Sequence, residues 1–334
     1  MWFEAFFQSP SVAAIALLGT AALLDFIIGD PWSWPHPVQF MGKAIALYSK
    51  TALAKDRPPQ QMRWLGVGLA SLLVLSTGIL SWLCLQALQQ LSPLLAWGTE
   101  AVLLASCFAG RSLRQAAEDV LQPLNDSIGD WDLPTARKRL SMYVGRDTDA
   151  LSAEGIRRAL LETLSENAVD GVLAPLFYAI LGAPVGLAAP LALAYKAAST
   201  LDSMVGYKEA PYTYLGWFSA KLEDVLTWLP CRISVLAIAL LSGRPRHVLR
   251  LCRRDAPADP SPNAGWSECA YAAALGVRLG GTNLYKGKVK VKPFLGNDDR
   301  PIADEAIAQA YQLTRSSFLL GLGAGIIWLW LLRP

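Results

Sequence analysis

Apolar windows of membrane-crossing length recur along this chain, and nothing else in it constrains the fold as tightly. Val12 to Gly29, Trp64 to Leu91, Leu94 to Ala109, Val172 to Ala194, Val225 to Leu241 and Phe318 to Leu332 approach or reach the roughly 17–25 residues that a helix needs to cross a bilayer. Backbone amides in lipid must bond within their own segment, so such windows become helices. The expected fold is an all-α polytopic integral membrane protein, with about four to six membrane helices, some broken by proline, and polar loops between them. The whole chain, 1–334, is read as one membrane-embedded domain, with polar functional loops at 30–63, 110–171, 195–224 and 242–316.

Composition closes off the alternatives. Hydrophobic residues make up 53% of the chain and charged ones 17%, against roughly 25% charged in soluble domains. A net charge of +3, with no basic block beside an aromatic ladder, excludes nucleic acid as a partner. Cys84, Cys107, Cys231, Cys252 and Cys269 show no CxxC spacing and read as free thiols. His36 and His247 are too few and too far apart for zinc. A metal here would be held by carboxylates, which favours magnesium.

No basic residue precedes Val12 and no small-residue cleavage site follows, so the first window is expected to be retained rather than cut as a signal peptide. Asp25 within it is either a functional group or an interfacial cap. The next block, GDPWSWPHPVQFMGK over 29–43, reads as a rigid proline-bounded turn that holds Asp30, His36, Trp32 and Trp34 close together. Lys50 to Arg63 reads as a polar linker, and the turn at Gln89 to Pro93 joins a helical hairpin whose second arm carries Glu100. Arg111 to Arg139 reads as a polar helical segment, broken at Asn125 to Pro134, that serves as a solvated connector.

The densest chemistry lies between Ser141 and Lys208. A helix from near Ser152 stacks Arg158, Glu162, Glu166 and Asp170 at i, i+4 spacing into one polar stripe that runs into the membrane boundary. Farther on, Lys221, Glu223 and Asp224 precede an apolar window, and Gly243 to Asp255 reads as a basic loop. Asn263 or Ser261 caps a short helix, GWSECAYAAALGVRL, expected to end at Gly280–Gly281. Lys286, Lys288, Lys290 and Lys292 alternate with Gly287, Val289 and Val291, a period of two that predicts a short β-hairpin near 284–293. Gly321 and Gly325 in the last window form a small-xxx-small pair.

The loops 30–63, 110–171 and 242–316 hold 5, 8 and 12 basic residues, which places all three on the cytoplasmic side. Six full crossings would then put the polar residues from Lys196 to Asp224 on the opposite side. Incomplete crossing by Val172 to Ala194 and Val225 to Leu241 would bring every polar motif to one side, and that arrangement is preferred.

LLDFIIGDPWSWPHPVQFMGK, VGRDT, ETLSENAVDGVLAPLFYA, YKAASTLDSMVGYK and SPNAGWSECAYAAALGVRLGG resemble, in order, the signature blocks of the CobD/CbiB family of cobalamin biosynthesis, the adenosylcobinamide-phosphate synthases. They extend from residue 23 to about 281. The resemblance implies an integral enzyme of the cell inner or plasma membrane, an acid–amine ligase. It would join the free carboxylate of adenosylcobyric acid to (R)-1-aminopropan-2-ol phosphate or a similar amino-alcohol phosphate, with ATP and magnesium. Other late cobalamin-pathway membrane enzymes are conceivable partners besides membrane lipid.

Activating a carboxylate toward an amine requires phosphate handling and cations. Glu162, Glu166, Asp170 and Asp202 are candidate magnesium holders, and Glu166, Asp170, Asp202 and Lys208 candidate catalytic groups. Arg146, Asp147, Lys196, Asn167, Asp30, His36, Asn263 and Trp266 are candidates for binding nucleotide or substrate. Trp32, Trp34, Trp217 and Trp266 are candidate platforms for a corrinoid. No GxxxxGK[ST] loop is present. Phosphate donors would instead come from Gly145 to Thr148, Gly29–Asp30, or the capped helix start at Ser261 to Gly265. A membrane signalling protein of the AmpE type shares the architecture but is expected to lack the DSMVGYK and SPNAGW blocks, and no internal symmetry suggests a transporter.

Overall fold

The computed structural model describes residues 10–31, 34–125 and 132–332. The described chain is almost entirely helical apart from one two-stranded hairpin, in agreement with the fold class read from the sequence. Among the described residues five helices are long and apolar enough to cross a membrane: Pro59–Leu91, Pro93–Asn125, Ala153–Val185, Trp217–Leu241 and Asp304–Leu331. A shorter apolar helix occupies the first window. This is the pattern of a multi-pass membrane protein.

The chain divides into two compact units. Unit one comprises residues 1–109, 174–227 and 321–334; unit two comprises 110–173 and 228–320. In unit one, α1 (Pro10–Ile27), α2 (Pro37–Leu53), α3 (Pro59–Leu91), α4 (Pro93–Ala105), α8 (Ala174–Gly182) and α9 (Ala188–Val205) pack with α9 at the centre, against α2, α3, α4 and α8. Its buried positions Ala188, Ala189, Ala192, Ala197 and Ala198 let neighbouring helices approach closely, the way membrane helices associate when lipid offers no hydrophobic drive. The last turns of α13 (Asp304–Leu331) use the glycine pair in the same way. A Cβ on Gly325 would fall 2.6 Å from Ile180, and one on Gly321 3.3 Å from Leu176.

Unit two holds α5 (Gly110–Asn125), α6 (Leu133–Leu140), α7 (Ala153–Ala168), part of α10 (Trp217–Leu241), α11 (Pro245–Asp255), α12 (Ala264–Leu275), the hairpin β1 (Leu279–Tyr285) with β2 (Lys288–Leu295), and the start of α13. One core surrounds α12, whose Cys269, Ala270, Tyr271, Ala272 and Ala273 are buried with Val248, Leu251 and Cys252 of α11. A second joins α5, α6 and α7 through Val120, Leu140, Ile156 and Leu160.

Several local expectations change. Val172 to Ala194 is not one segment: the helix from Ala153 passes through a π turn at Val169–Leu173, ends at Gly182, and the chain reverses through Gly186, φ 70°, into α9. The block after Asp30 is not a turn throughout, because Pro37 starts a helix at its first position, where a missing N–H costs nothing. The His36 side chain caps that helix by accepting from the Val38 N–H. Lys50 to Arg63 is largely helical, whereas helices on either side of the expected break, Gly110–Asn125 and Leu133–Leu140, agree with the reading of Arg111 to Arg139. The supposed basic loop before Asp255 is α11, its buried Val248, Leu251 and Cys252 at i, i+3, i+4 forming an apolar stripe among arginines. Helix α12 stops at Gly276 in the left-handed conformation, earlier than the Gly280–Gly281 pair, which opens β1 instead.

Candidate functional site

In unit two the start of α7 folds as its sequence dictates: Ser152 accepts from the Gly155 N–H as N-cap, and Glu154 sits in the first turn, where the helix dipole favours an acid. The polar stripe then turns inward. Glu162 is buried and pairs with Arg146 from the preceding loop. Its other oxygen accepts from the Gly280 N–H at 2.9 Å. Gly280 has φ 88°, and a Cβ there would fall 2.0 Å from the Pro293 carbonyl oxygen, so glycine is what lets this amide face Glu162. Arg146 also donates to Asn283 Oδ1 at 2.9 Å, an oxygen that Arg158 approaches at 3.4 Å. The two guanidinium donors fix the orientation of the amide.

A second buried pair adjoins the first. Lys292 Nζ lies 2.8 Å from Oε1 of Glu268, whose side chain is fully buried in α12. Glu166, half-buried one turn beyond Glu162, lies within electrostatic reach of Lys292, Asp259, Arg146 and Glu162, and so links the two pairs. Burial pushes the Glu268 carboxyl up to about 8; the Lys292 charge opposes this, and Glu166 and Glu162 add to it. For Lys292 burial opposes the charge, but Glu268, Glu166 and Asp259 together outweigh burial and hold the ammonium above the ordinary lysine range.

Asp147, in the VGRDT block, ties the hairpin turn: its two oxygens accept from the Lys286 and Gly287 N–H groups at 3.0 and 2.7 Å. Asn167 is exposed and bonds back to the Thr163 carbonyl. Asp170 falls in the π turn, which rotates it relative to the α7 stripe. Ser261, not Asn263, serves the start of α12, accepting from the Asn263 and Ala264 N–H groups. Trp266 stacks on the Arg232 guanidinium at 4.3 Å, with Trp228 on the same cation at 5.3 Å.

The other candidates lie in unit one. Asp30 and His36 pair at 3.2 Å and line a cavity of about 620 Å³ with Leu24, Trp34, Phe40, Leu73 and Leu103. Cys107 is close enough to feel both Asp30 and Lys196. Asp202 sits on α9, half-buried, where a Cβ on Gly206 would fall 2.0 Å from its Oδ1, while Lys208 is exposed. Trp217 is stacked by Arg63 at 5.4 Å, and Glu100 accepts from the Ala189 N–H at the start of α9. Trp32 lies outside the described residues. Among the described residues no three His, Cys, Asp or Glu side chains gather as a metal site.

Glu268, Lys292, Asp259 and Asn283 join the site without standing among the residues expected there from the sequence. A lone carboxylate in SECAYAAA was a usable signal, since an acid inside an otherwise apolar helix must be paired or stay protonated. Buried polar pairs of this kind, carried on a scaffold of membrane-length helices, define a multi-pass membrane protein with an enclosed charged centre. The CobD/Cbib protein family model matches residues 18–314, and the chain belongs to that family, with a role in cobalamin biosynthesis. It is 51% identical over 315 residues to the cobalamin biosynthesis protein CobD of Synechocystis, covering 94% of this chain and 91% of that protein. It is 41% identical over 307 residues to the cobalamin biosynthesis protein CbiB of Salmonella arizonae, covering 90% and 93%. No solved structure matches the chain.

Proposed function

We propose that this chain is an adenosylcobinamide-phosphate synthase of the cell inner or plasma membrane. It joins the free carboxylate of adenosylcobyric acid to (R)-1-aminopropan-2-ol phosphate or a similar amino-alcohol phosphate through an amide bond. The observation that carries the reading is the meeting of three motif blocks, distant in sequence, in one buried centre: VGRDT supplies Arg146, ETLSENAVDG supplies Glu162 and Glu166, and SPNAGWSECA supplies Glu268. Burying that many charges is costly, and a role with charged substrates accounts for retaining them.

A carboxylate accepts an amine only when activated, so ATP is proposed as co-substrate: its γ-phosphoryl passes to the carboxylate, leaving ADP and an acyl phosphate, and the neutral amine then displaces inorganic phosphate from the acyl carbon and gives up one proton. The carboxyls do not fit a resident magnesium ion, because Glu162 and Glu268 are already committed to Arg146 and Lys292 and no three-ligand group forms among the described residues. Magnesium is therefore proposed to enter with the nucleotide, bound chiefly by phosphate oxygens and water, and no step here depends on it. In this reading Arg146, Arg158 and Lys292 counter phosphate charge, the buried acids face the amine, and the enclosure excludes water from the activated acyl group. Membrane lipid is a proposed partner, as are other membrane enzymes of the late pathway.

The test is mass spectrometry of the purified protein incubated with adenosylcobyric acid, aminopropanol phosphate, magnesium and ATP, omitting each in turn. The amide product is expected only in the complete mixture. A product formed without ATP removes the activation scheme, and no product in any mixture removes the synthase reading.

A further inference from the structure

The charged centre of unit two is built with unused hydrogen-bonding capacity of both signs. Glu268 is fully buried, and among the described residues its Oε2 has no partner. The same holds for Oδ2 of Asp259, which is 8% exposed and whose other oxygen accepts from the Ser261 N–H at 2.8 Å. These are acceptors awaiting a donor. On the other side Asn283, 3% exposed, has an unpartnered Nδ2, and the Nε of Arg158 is likewise unpartnered. These are donors awaiting an acceptor. A buried polar atom without a partner is destabilising, and four in one centre mark a place shaped for something else.

Charge balance points the same way. Among the described residues, Glu162, Glu166 and Asp259 gather with Arg146, Lys292 and, through Asn283, Arg158, while Glu268 holds its proton and adds no charge, so acids and cations match and a ligand that keeps the balance carries both signs. The orphan acceptors lie on the Lys292 side and the orphan donors on the Arg146–Arg158 side, with Glu166 in reach of both. A ligand that satisfies the centre therefore carries a cationic donor at one end and an anionic acceptor at the other.

We propose that this centre is the binding site for the amino-alcohol phosphate, with Glu268 and Asp259 receiving its primary ammonium and Asn283 and Arg158 its phosphate. The inference rests on the synthase reading for the choice of amine, and on the orphan atoms for the place. The ammonium donates to the orphan carboxyl oxygens, and the phosphate oxygens accept from the amide and the guanidinium.

Isothermal titration on the full-length protein in detergent tests it with three ligands: 1-aminopropan-2-ol phosphate, isopropyl phosphate lacking the amine, and 1-aminopropan-2-ol lacking the phosphate. Glu268→Gln is expected to weaken the first and third by about tenfold or more, the scale of losing one buried charged partner, and to leave isopropyl phosphate unchanged. Asn283→Ala is expected to weaken the two phosphates and spare the free amino alcohol. Asp259→Asn carries the same expectation as Glu268→Gln should that variant not fold. Equal losses for all three ligands, or none, overturn the site. Product analysis on the same preparations separates the two ideas: amide formation with binding insensitive to Glu268 removes this site and leaves the synthase. Ligand-selective loss on Glu268→Gln in a protein that makes no amide leaves the site and removes the synthase.

Discussion

The two units differ in what they bury between their helices. Unit one relies on size: alanines along α9 and the Gly321/Gly325 pair of α13 bring helices close, and its cavity is lined by apolar side chains apart from Asp30, His36 and a few hydroxyls. Unit two adds to its two apolar cores a buried charged centre, pairing Arg146 with Glu162 and Lys292 with Glu268. The difference teaches where each is vulnerable. Unit one should fail when volume is added and unit two when a charge is removed, and the scale of failure differs because an uncompensated buried charge costs more than an extra methyl group.

The largest effect is therefore expected from Arg146→Ala. Among the described residues it leaves the buried Glu162 with only the Gly280 amide, and breaking one partner of a buried pair costs about 3–5 kcal/mol. Thermal unfolding in detergent should show it, and Arg146→Met with Glu162→Leu together should recover much of the loss. A double variant no better than the single one would mean that Glu162 is not the source of the cost.

Acidity gives the next contrast. With the Glu268 carboxyl pushed up to about 8 in the folded protein and an ordinary value near 4.3 when unfolded, the folded state holds a proton that the unfolded chain releases between those values. The resulting stability is complete below the unfolded value and is lost as pH rises through about 8. Unfolding temperature should fall across that window in the wild type and flatten in Glu268→Gln. The groups facing this carboxyl, Lys292 on β2 and Glu166 and Glu162 on α7, are unchanged in the variant, so a slope that persists would assign the proton to one of them.

What the sequence disclosed follows the same division. Local rules were enough for the helix start near Ser152 and the α7 stripe, for the period-two lysines of β2, and for the glycine pair of α13, since each depends on residues within a turn or two of one another. The apolar windows gave the membrane class. Hidden were features set by distant partners: Lys292 looked like one more surface lysine until β1 and β2 placed it beside Glu268, and Asp147 looked like a ligand group until the hairpin turn claimed both its oxygens. Helix α11 was obscured because its arginines outweighed a three-residue apolar stripe. The reversal at Gly182–Gly186 was obscured because hydropathy runs unbroken across it.

In unit one, Gly325→Val should cost about 1–3 kcal/mol, the usual penalty of overpacking, because the added atoms meet Ile180 at a position where even a Cβ would lie 2.6 Å away. Ile180→Ala in the same chain should relieve part of it. The pair also sharpens the contrast between units, since neither substitution touches a charge. A pH-dependent unfolding profile identical to the wild type's would show that the titrating group belongs to unit two alone.

The smallest effect is expected at His36, where both kinds of interaction meet. Its Nδ1 accepts from the Val38 N–H to cap α2, and its Nε2 faces Asp30 at 3.2 Å on the rim of the apolar cavity. Losing a cap costs about 1 kcal/mol, and a partly exposed pair adds at most a similar amount. His36→Asn keeps a capping acceptor but removes the ring that reaches Asp30, whereas His36→Ala removes both. If unit one depends on packing and capping, His36→Asn should unfold within a degree or two of the wild type and His36→Ala several degrees lower, the scale on which about 1 kcal/mol shifts a midpoint. Equal losses in the two variants would mean that the Asp30 pair carries the effect, and that unit one, like unit two, leans on charge.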